Sequence, residues 1–84
     1  MIQSFYKSKP VQDTPYRLLA LTPNEQGQLV VRLSGGTRWG RDNSTVIDSV
    51  LVDGYDAGHE VYDQIYAELV GEGWRPYAPD TMWD

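Results

Sequence analysis

The sequence predicts a single small α+β domain, in which one amphipathic helix packs on one face of an antiparallel sheet of three to five strands. Short apolar segments separated by turn residues, from residue 16 to residue 52, indicate the antiparallel sheet. One stretch, at about residues 57–70, has the apolar spacing of a helix. The length of 84 residues suffices for one hydrophobic core but not for two.

The first two confident strands are predicted at residues 16–22 and 28–33. The first is apolar on much of both faces, and the second alternates between apolar and polar residues. Between them, residues 23–27 contain the Pro, Asn and Gly typical of a hairpin loop, so the two strands should pair antiparallel. Residues 1–15 are expected to form an extended arm or an edge strand.

The second half of the sheet is predicted around two turns. Adjacent glycines at residues 34–37 indicate a tight reversal, because a primed turn needs positive φ angles. A short strand at residues 38–41 and a turn at 42–44 would then lead to a strand rich in β-branched residues at 45–52. Residues 74–77 could add an edge strand, and residues 78–84 are expected to be a loose tail.

The helix is predicted to begin after Asp53 or Asp56, either of which could cap it. Gly71 and Gly73 should end it in the left-handed conformation, with Trp74 folding back on the last turn. Two apolar rows follow a spacing of four residues: Val61, Ile65 and Leu69, beside Tyr62, Tyr66 and Val70. The first row is expected to contact Leu29, Val31, Val50 and either Leu18 or Leu19. Residues on the far side of the helix are expected to face water: Glu60, Asp63, Gln64 and Ala67.

Composition excludes several classes of function. The chain has no cysteine, so disulfides, thiolate metal sites and cysteine nucleophiles are excluded. No apolar stretch approaches the ~18 residues of a membrane span, and the first residues lack a signal-peptide pattern, so we expect a soluble, cytoplasmic protein without a membrane partner. Six of the seven basic residues lie in residues 1–41, whereas ten of the twelve acids lie in residues 42–84. Although the net charge is −5, residues 1–41 therefore form a locally cationic region.

No catalytic, metal or cofactor site is predicted. His59 is the single histidine, and on a helix it shares a face with Asp63 but not with Asp53, so the nearby acids, including Asp56, indicate a solvated helix N-terminus. Ser44 and Thr45 have no base in a recognisable arrangement. The sequence therefore favours a non-catalytic protein.

One short motif points to a ligand. Residues Thr37-Arg38-Trp39-Gly40-Arg41 stand after a hairpin strand and before a turn and a further strand. This arrangement resembles the signature of the WGR domain family, and the resemblance extends from Tyr16 to Tyr77. WGR domains are small β-rich modules with one helix, and in poly(ADP-ribose) polymerases they bind DNA ends. The resemblance implies a nucleic-acid-binding module in which Trp39 stacks on a sugar or base, while Arg38 and Arg41 hold phosphate with help from Arg32.

Two other interpretations remain open. Trp39 could be a core or sheet-face residue with Arg38 and Arg41 at the sheet edge, and Gly40 could mark a bulge. Alternatively, the protein is an acidic interaction module or inhibitor of a basic protein, with a composition like that of phage inhibitors of host defence. This second function would use two sets of residues. The acidic set is Glu60, Asp63, Glu68 and Glu72, and the aromatic anchors are Tyr55, Trp74, Tyr77 and Trp83.

Overall fold

The computed structural model describes residues 1–7, 15–36 and 45–77, and these form five strands and one helix. The elements in chain order are β1 (Ile2–Tyr6), β2 (Tyr16–Pro23), β3 (Leu29–Gly36), β4 (Thr45–Val52), α1 (Tyr55–Gly71) and β5 (Arg75–Pro76). All paired strands are antiparallel, and α1 packs on the sheet. The predicted fold class is confirmed.

The order of strands in the sheet is β4-β3-β2-β1-β5. β1 therefore lies between β2 and β5 at Phe5 and Tyr6, where the expectation of an edge strand or an arm is wrong, whereas Ile2 and Gln3 pair with β2 alone and lie at the edge of the sheet as expected. The reason is the two-residue strand β5, which returns from the helix and pairs with Phe5 and Tyr6. β5 itself is the predicted C-terminal edge strand.

The β2–β3 hairpin forms where the sequence predicts it. The Asn24 side chain organises the turn, because its Oδ1 accepts hydrogen bonds from the backbone N–H groups of Gln26 and Gln28, both at 2.9 Å. Gly27 has φ +79°, a left-handed conformation that a glycine adopts without strain.

The reversal predicted at residues 34–37 is wrong for residues 34–36, and residue 37 lies outside the described residues. Gly35 and Gly36 belong to β3, where they pair with Arg17 and Tyr16 of β2, and neither has a positive φ angle. Gly35 is needed for space instead, since a Cβ there would lie 2.8 Å from Cδ of Arg17. The strand predicted at 38–41 lies outside the described residues.

The helix is longer than predicted and starts differently. Gly54 is its extended N-cap residue, and no side chain caps the first turn, so the prediction of an Asp53 or Asp56 cap is wrong. At the other end, Gly73 has φ +97°, and the Trp74 N–H donates to the Leu69 carbonyl at 2.9 Å. This is a Schellman end, in which Trp74 folds back as predicted. Gly71, in contrast, is the last helical residue.

The core lies between α1 and one face of the sheet, here called the covered face. Its buried members are Phe5, Leu19, Leu21, Val31, Tyr62, Ile65, Leu69 and Trp74. Ile65 and Leu69 occupy the predicted stripe, with Val61 partly buried beside them. Val70, in contrast, is 48% exposed, so the second apolar row contacts the core through Tyr62 and Tyr66 and not along its whole length. Leu19 and not Leu18 reaches the core, because side chains alternate along β2.

Candidate functional site

The predicted nucleic-acid residues are only partly described. Arg38, Trp39 and Arg41 lie outside the described residues, as does Trp83. Arg32 is exposed on β3, on the face of the sheet away from the helix, here called the open face. It lines a shallow depression with residues 23–26 of the β2–β3 turn, at the opposite end of β3 from Gly36. The structure therefore does not bring Arg32 to the strand ends that flank residues 37–44.

Three basic residues instead lie at the other end of the sheet, where β1 and β3 end and β2, β4 and β5 begin, with Arg17 on the covered face and Arg75 on the open face. We call this the basic end, defined by Lys7, Arg17 and Arg75. In the sheet Arg17 pairs with Phe5 and Arg75 pairs with Tyr6, and Lys7 directly follows Tyr6. The chain segments that join Lys7 to Pro15 and Gly36 to Thr45 start and finish at this end, and they carry Lys9, Arg38 and Arg41.

Two of these cations share one indole ring. Nζ of Lys7 lies 4.9 Å from the ring centroid of Trp74, and Cζ of Arg17 lies 4.5 Å from it. Both distances are in the range of cation–π attraction. Trp74 is only 5% exposed, so the expectation that it is an exposed anchor for a partner is wrong. Its role in the fold is to join the end of α1 to the basic end.

The Arg17 side chain is held in place from more than one side. Nη1 donates a hydrogen bond to the Tyr16 carbonyl at 2.9 Å, and the stem passes against Gly35, which has no side chain to obstruct it. Sequence reasoning missed this cluster, because only the pairing of β1 with both β2 and β5 brings Lys7, Arg17 and Trp74 together. The aromatic residue after the helix cap was the one signal for it.

Tyrosines border the basic end on the open face. Tyr6 and Tyr16 are register partners, and the rings of Tyr6 and Tyr77 contact edge to face with centroids 5.4 Å apart. Tyr77 is half-buried, and its carbonyl accepts a hydrogen bond from Nε2 of Gln3. Tyr55, by comparison, is 60% exposed at the start of α1. Of the predicted aromatic anchors among the described residues, Tyr55 is thus the most accessible.

The outer side of α1 forms a second candidate surface, called here the acidic helix surface: Asp56, Glu60, Asp63, Glu68 and Glu72. All five residues are exposed, and the last turn of the helix contains no basic residue. The four acids predicted for a protein interaction are among them. Asp56, Glu60 and Asp63 are spaced three or four residues apart, as are Glu68 and Glu72. Like charges at these spacings repel, so the helix carries two groups of concentrated negative charge.

Tyr62 is a buried titratable residue in the part of the chain that the structure describes. Burial, together with the nearby Tyr66 and Asp63, raises the pKa of Tyr62 above its usual value, so that hydroxyl stays protonated at neutral pH. Within the same residues, no cluster of three or more potential metal ligands occurs. Nor is any helix there long and apolar enough to cross a membrane.

Comparisons of the chain with protein-family models, with curated proteins and with solved structures give no match.

Proposed function

We propose that this protein is a non-catalytic binding module that contacts nucleic acid at the basic end of the sheet. The observation that carries the proposal is the position of basic residues at one end of the sheet. Lys7, Arg17 and Arg75 lie at this end, and both segments that carry further basic residues are attached there. Five acids, in contrast, lie along the exposed side of α1. The uneven distribution of charge along the sequence therefore corresponds to an uneven distribution in space, with basic residues at the strand ends and acids along α1.

The residue types at this end suit a phosphate backbone. Arginine forks onto phosphate oxygens and lysine supplies a point charge, so together they bind without reading sequence. The WGR-like segment would add Arg38 and Arg41 for phosphate and the indole of Trp39 for stacking. Arg32 lies in the middle of β3 and lines a depression beside the β2–β3 turn, and we expect it to contribute less than these residues.

A titration of fluorescently labelled DNA tests this function. We expect the full chain to bind duplex ends or single strands at low salt, with an affinity that falls as salt rises, because phosphate contacts release counterions. Arg41→Ala should weaken binding severalfold, whereas the matched Arg32→Ala should change it little. No binding at low salt, or equal binding by wild type and Arg41→Ala, would refute the proposal.

A second candidate function is supported by the acidic helix surface. Glu68 in the last turn and Glu72 at the C-cap place negative charge at the negative end of the helix dipole, where it lowers stability. Acids that oppose local stability are typical of residues retained for binding. A basic protein partner would be attracted to this surface, and exposed Tyr55 could anchor it.

Charge reversal distinguishes this candidate from the first. In a pull-down from the native host, Glu60→Lys with Asp63→Lys should abolish capture of a specific basic protein. Glu25→Lys is the matched control, because Glu25 is an equally exposed acid in the β2–β3 turn. Capture that survives the double reversal, or that is lost equally with Glu25→Lys, would argue against an interaction through α1.

A further inference from the structure

We infer that Lys7 and Arg17 form a phosphate-binding site built on the indole of Trp74. The inference rests on the proposed function and deepens it, because it assigns a phosphate contact to two residues outside the WGR-like segment. The ligand class is a phosphate oxyanion, which in nucleic acid is the backbone phosphodiester.

The first argument is electrostatic. Lys7 and Arg17 both lie within 4.9 Å of one ring centroid, so their charges are at most about 10 Å apart, roughly one Debye length at 0.1 M salt. Neither side chain has an ion pair with a carboxylate among residues 1–7, 15–36 and 45–77. Two cations held near one another repel, and the negative charge of an anion bound beside them would relieve that repulsion.

The second argument is preorganisation. Arg17 uses one N–H group for the Tyr16 carbonyl, and its guanidinium carries five such donors in a fixed fork. Packing against Trp74 and the gap at Gly35 fix the stem, so binding of a phosphate would cost little further ordering. Lys7 is exposed and Arg17 is half-buried, so a ligand can approach both.

The alternative to a phosphate site is that Lys7 and Arg17 have a purely structural role. Trp74 is bonded to the last turn of α1, so the two cations stand near the negative end of the helix dipole and would stabilise the helix there. That role predicts a loss of stability when either cation is removed, but no selective response to phosphate.

The test is an NMR titration of the full chain with sodium phosphate at pH 6.5, against sodium chloride of equal ionic strength. We expect phosphate-specific shifts of the Arg17 Nε–H, the Trp74 indole N–H and the Lys7 amide, and none at the Arg32 Nε–H. Arg17→Met and Lys7→Met keep the apolar stem and remove the charge. Each should abolish the phosphate-specific shifts, whereas Arg32→Met should preserve them, with folding of all variants checked by circular dichroism.

The same variants are then titrated with the labelled DNA. Arg17→Met and Lys7→Met should each weaken binding by about fivefold or more and reduce the salt slope by about 1, as expected for one lost phosphate contact. If wild type binds DNA and both variants bind equally well, the phosphate site is refuted while the proposed function stands. If phosphate shifts Arg17 and Trp74 but no DNA binds, the site stands and the proposed function fails. Shifts that sodium chloride reproduces, or that are as large at Arg32, would overturn the inference.

Discussion

The two faces of the sheet differ in what their residues do. On the covered face, Phe5, Leu19 and Val31 are completely buried beneath α1. The open face also has buried residues, Tyr6 and Val30, but its Ile2, Val46 and Leu51 are 65%, 59% and 62% exposed. Hydrophobic stabilisation follows the apolar area removed from water, so these three exposed residues should contribute far less to the free energy of unfolding than the three buried beneath α1.

β4 is an edge strand of the sheet, and two of its features discourage it from pairing with other chains. The strand is exposed over Thr45–Ser49, and such an edge is a template for further strands. The register between β3 and β4 shifts between Leu33 and Ser34, which marks a bulge, and Asp48 adds a charge beside it. The Ser49 N–H is bonded to Asp48 Oδ1 at 2.9 Å. Bulges and charges are devices that discourage edge-to-edge association.

The largest contrast between the two faces should appear at Phe5 and Leu51. Phe5→Ala removes a completely buried ring that contacts Tyr66 edge to face, and we expect it to lower the free energy of unfolding by about 3–5 kcal/mol. Leu51→Ala should cost only about 0.5 kcal/mol, because the side chain is already in water. Urea unfolding followed by circular dichroism measures both. Equal losses would mean that the open face is covered in the folded protein.

Two adjacent residues of α1, Leu69 and Val70, show the same contrast between a buried and an exposed position. Leu69 is 3% exposed and Val70 is 48% exposed, although both are large and apolar. Leu69→Ala should lower the free energy of unfolding by about 2–5 kcal/mol, and Val70→Ala by less than about 1 kcal/mol. Thermal unfolding of the two variants decides the matter, and a larger loss at Val70 would mean that the helix is rotated from its position here.

Much of the covered face could be predicted from sequence, because it depends on short-range patterns. The spacing of Ile65 and Leu69 predicts the buried stripe of α1, and alternation in β3 predicts burial of Val31. The role of β1 could not be predicted in the same way. Its interior position depends on β5, a two-residue strand whose register with Phe5 joins residues more than 70 positions apart.

The candidate site was less accessible to sequence reasoning. A motif-based search draws attention to Trp39 and its neighbours, which lie outside the described residues. The adjacent glycines predict a turn at Gly35, whereas in the folded chain the absence of a side chain there leaves room for Arg17. The cluster on Trp74 arises from tertiary packing between three separate segments, and no local pattern encodes such a contact.

Two glycines of α1 offer a finer comparison between a packed and an open position. A Cβ at Gly58 would lie 2.7 Å from Cδ1 of buried Leu21, whereas nothing lies within 4 Å of one at Gly71. Gly58→Ala should therefore destabilise the protein by about 1–2 kcal/mol, because overpacking outweighs helix propensity. Gly71→Ala should stabilise it by about 0.5–1 kcal/mol. Stabilisation by both changes would show that α1 sits further from the sheet than described.

Tyr62, a buried residue of α1, predicts that the free energy of unfolding depends on pH in the alkaline range. Burial raises the pKa of Tyr62 in the folded state above its usual value of 10.0, and the nearby Tyr66 and Asp63 raise it further. The unfolded chain therefore loses this proton first, and the contribution of Tyr62 to stability, complete below pH 10, declines as pH rises through the folded pKa. Urea unfolding at pH 9 and pH 11 should show a smaller alkaline loss for Tyr62→Phe than for wild type. An identical loss in both would place its source elsewhere.

The smallest expected effect concerns the acids at the end of α1. Glu68 lies in a last turn without basic residues, where the helix dipole favours a cation. Glu68→Lys should therefore raise the free energy of unfolding by about 0.3–1 kcal/mol at low salt, and less at 1 M salt, where screening is strong. Glu60→Lys is the control, because Glu60 is equally exposed but lies nearer the other end of the helix. If Glu68→Lys is the more stable variant, the acid at this position lowers the stability of the free protein, which is what a surface kept for a cationic partner requires. If Glu68→Lys is neutral or destabilising, Lys7 and Arg17 already satisfy this end of the helix, and the argument for a basic protein partner loses its support.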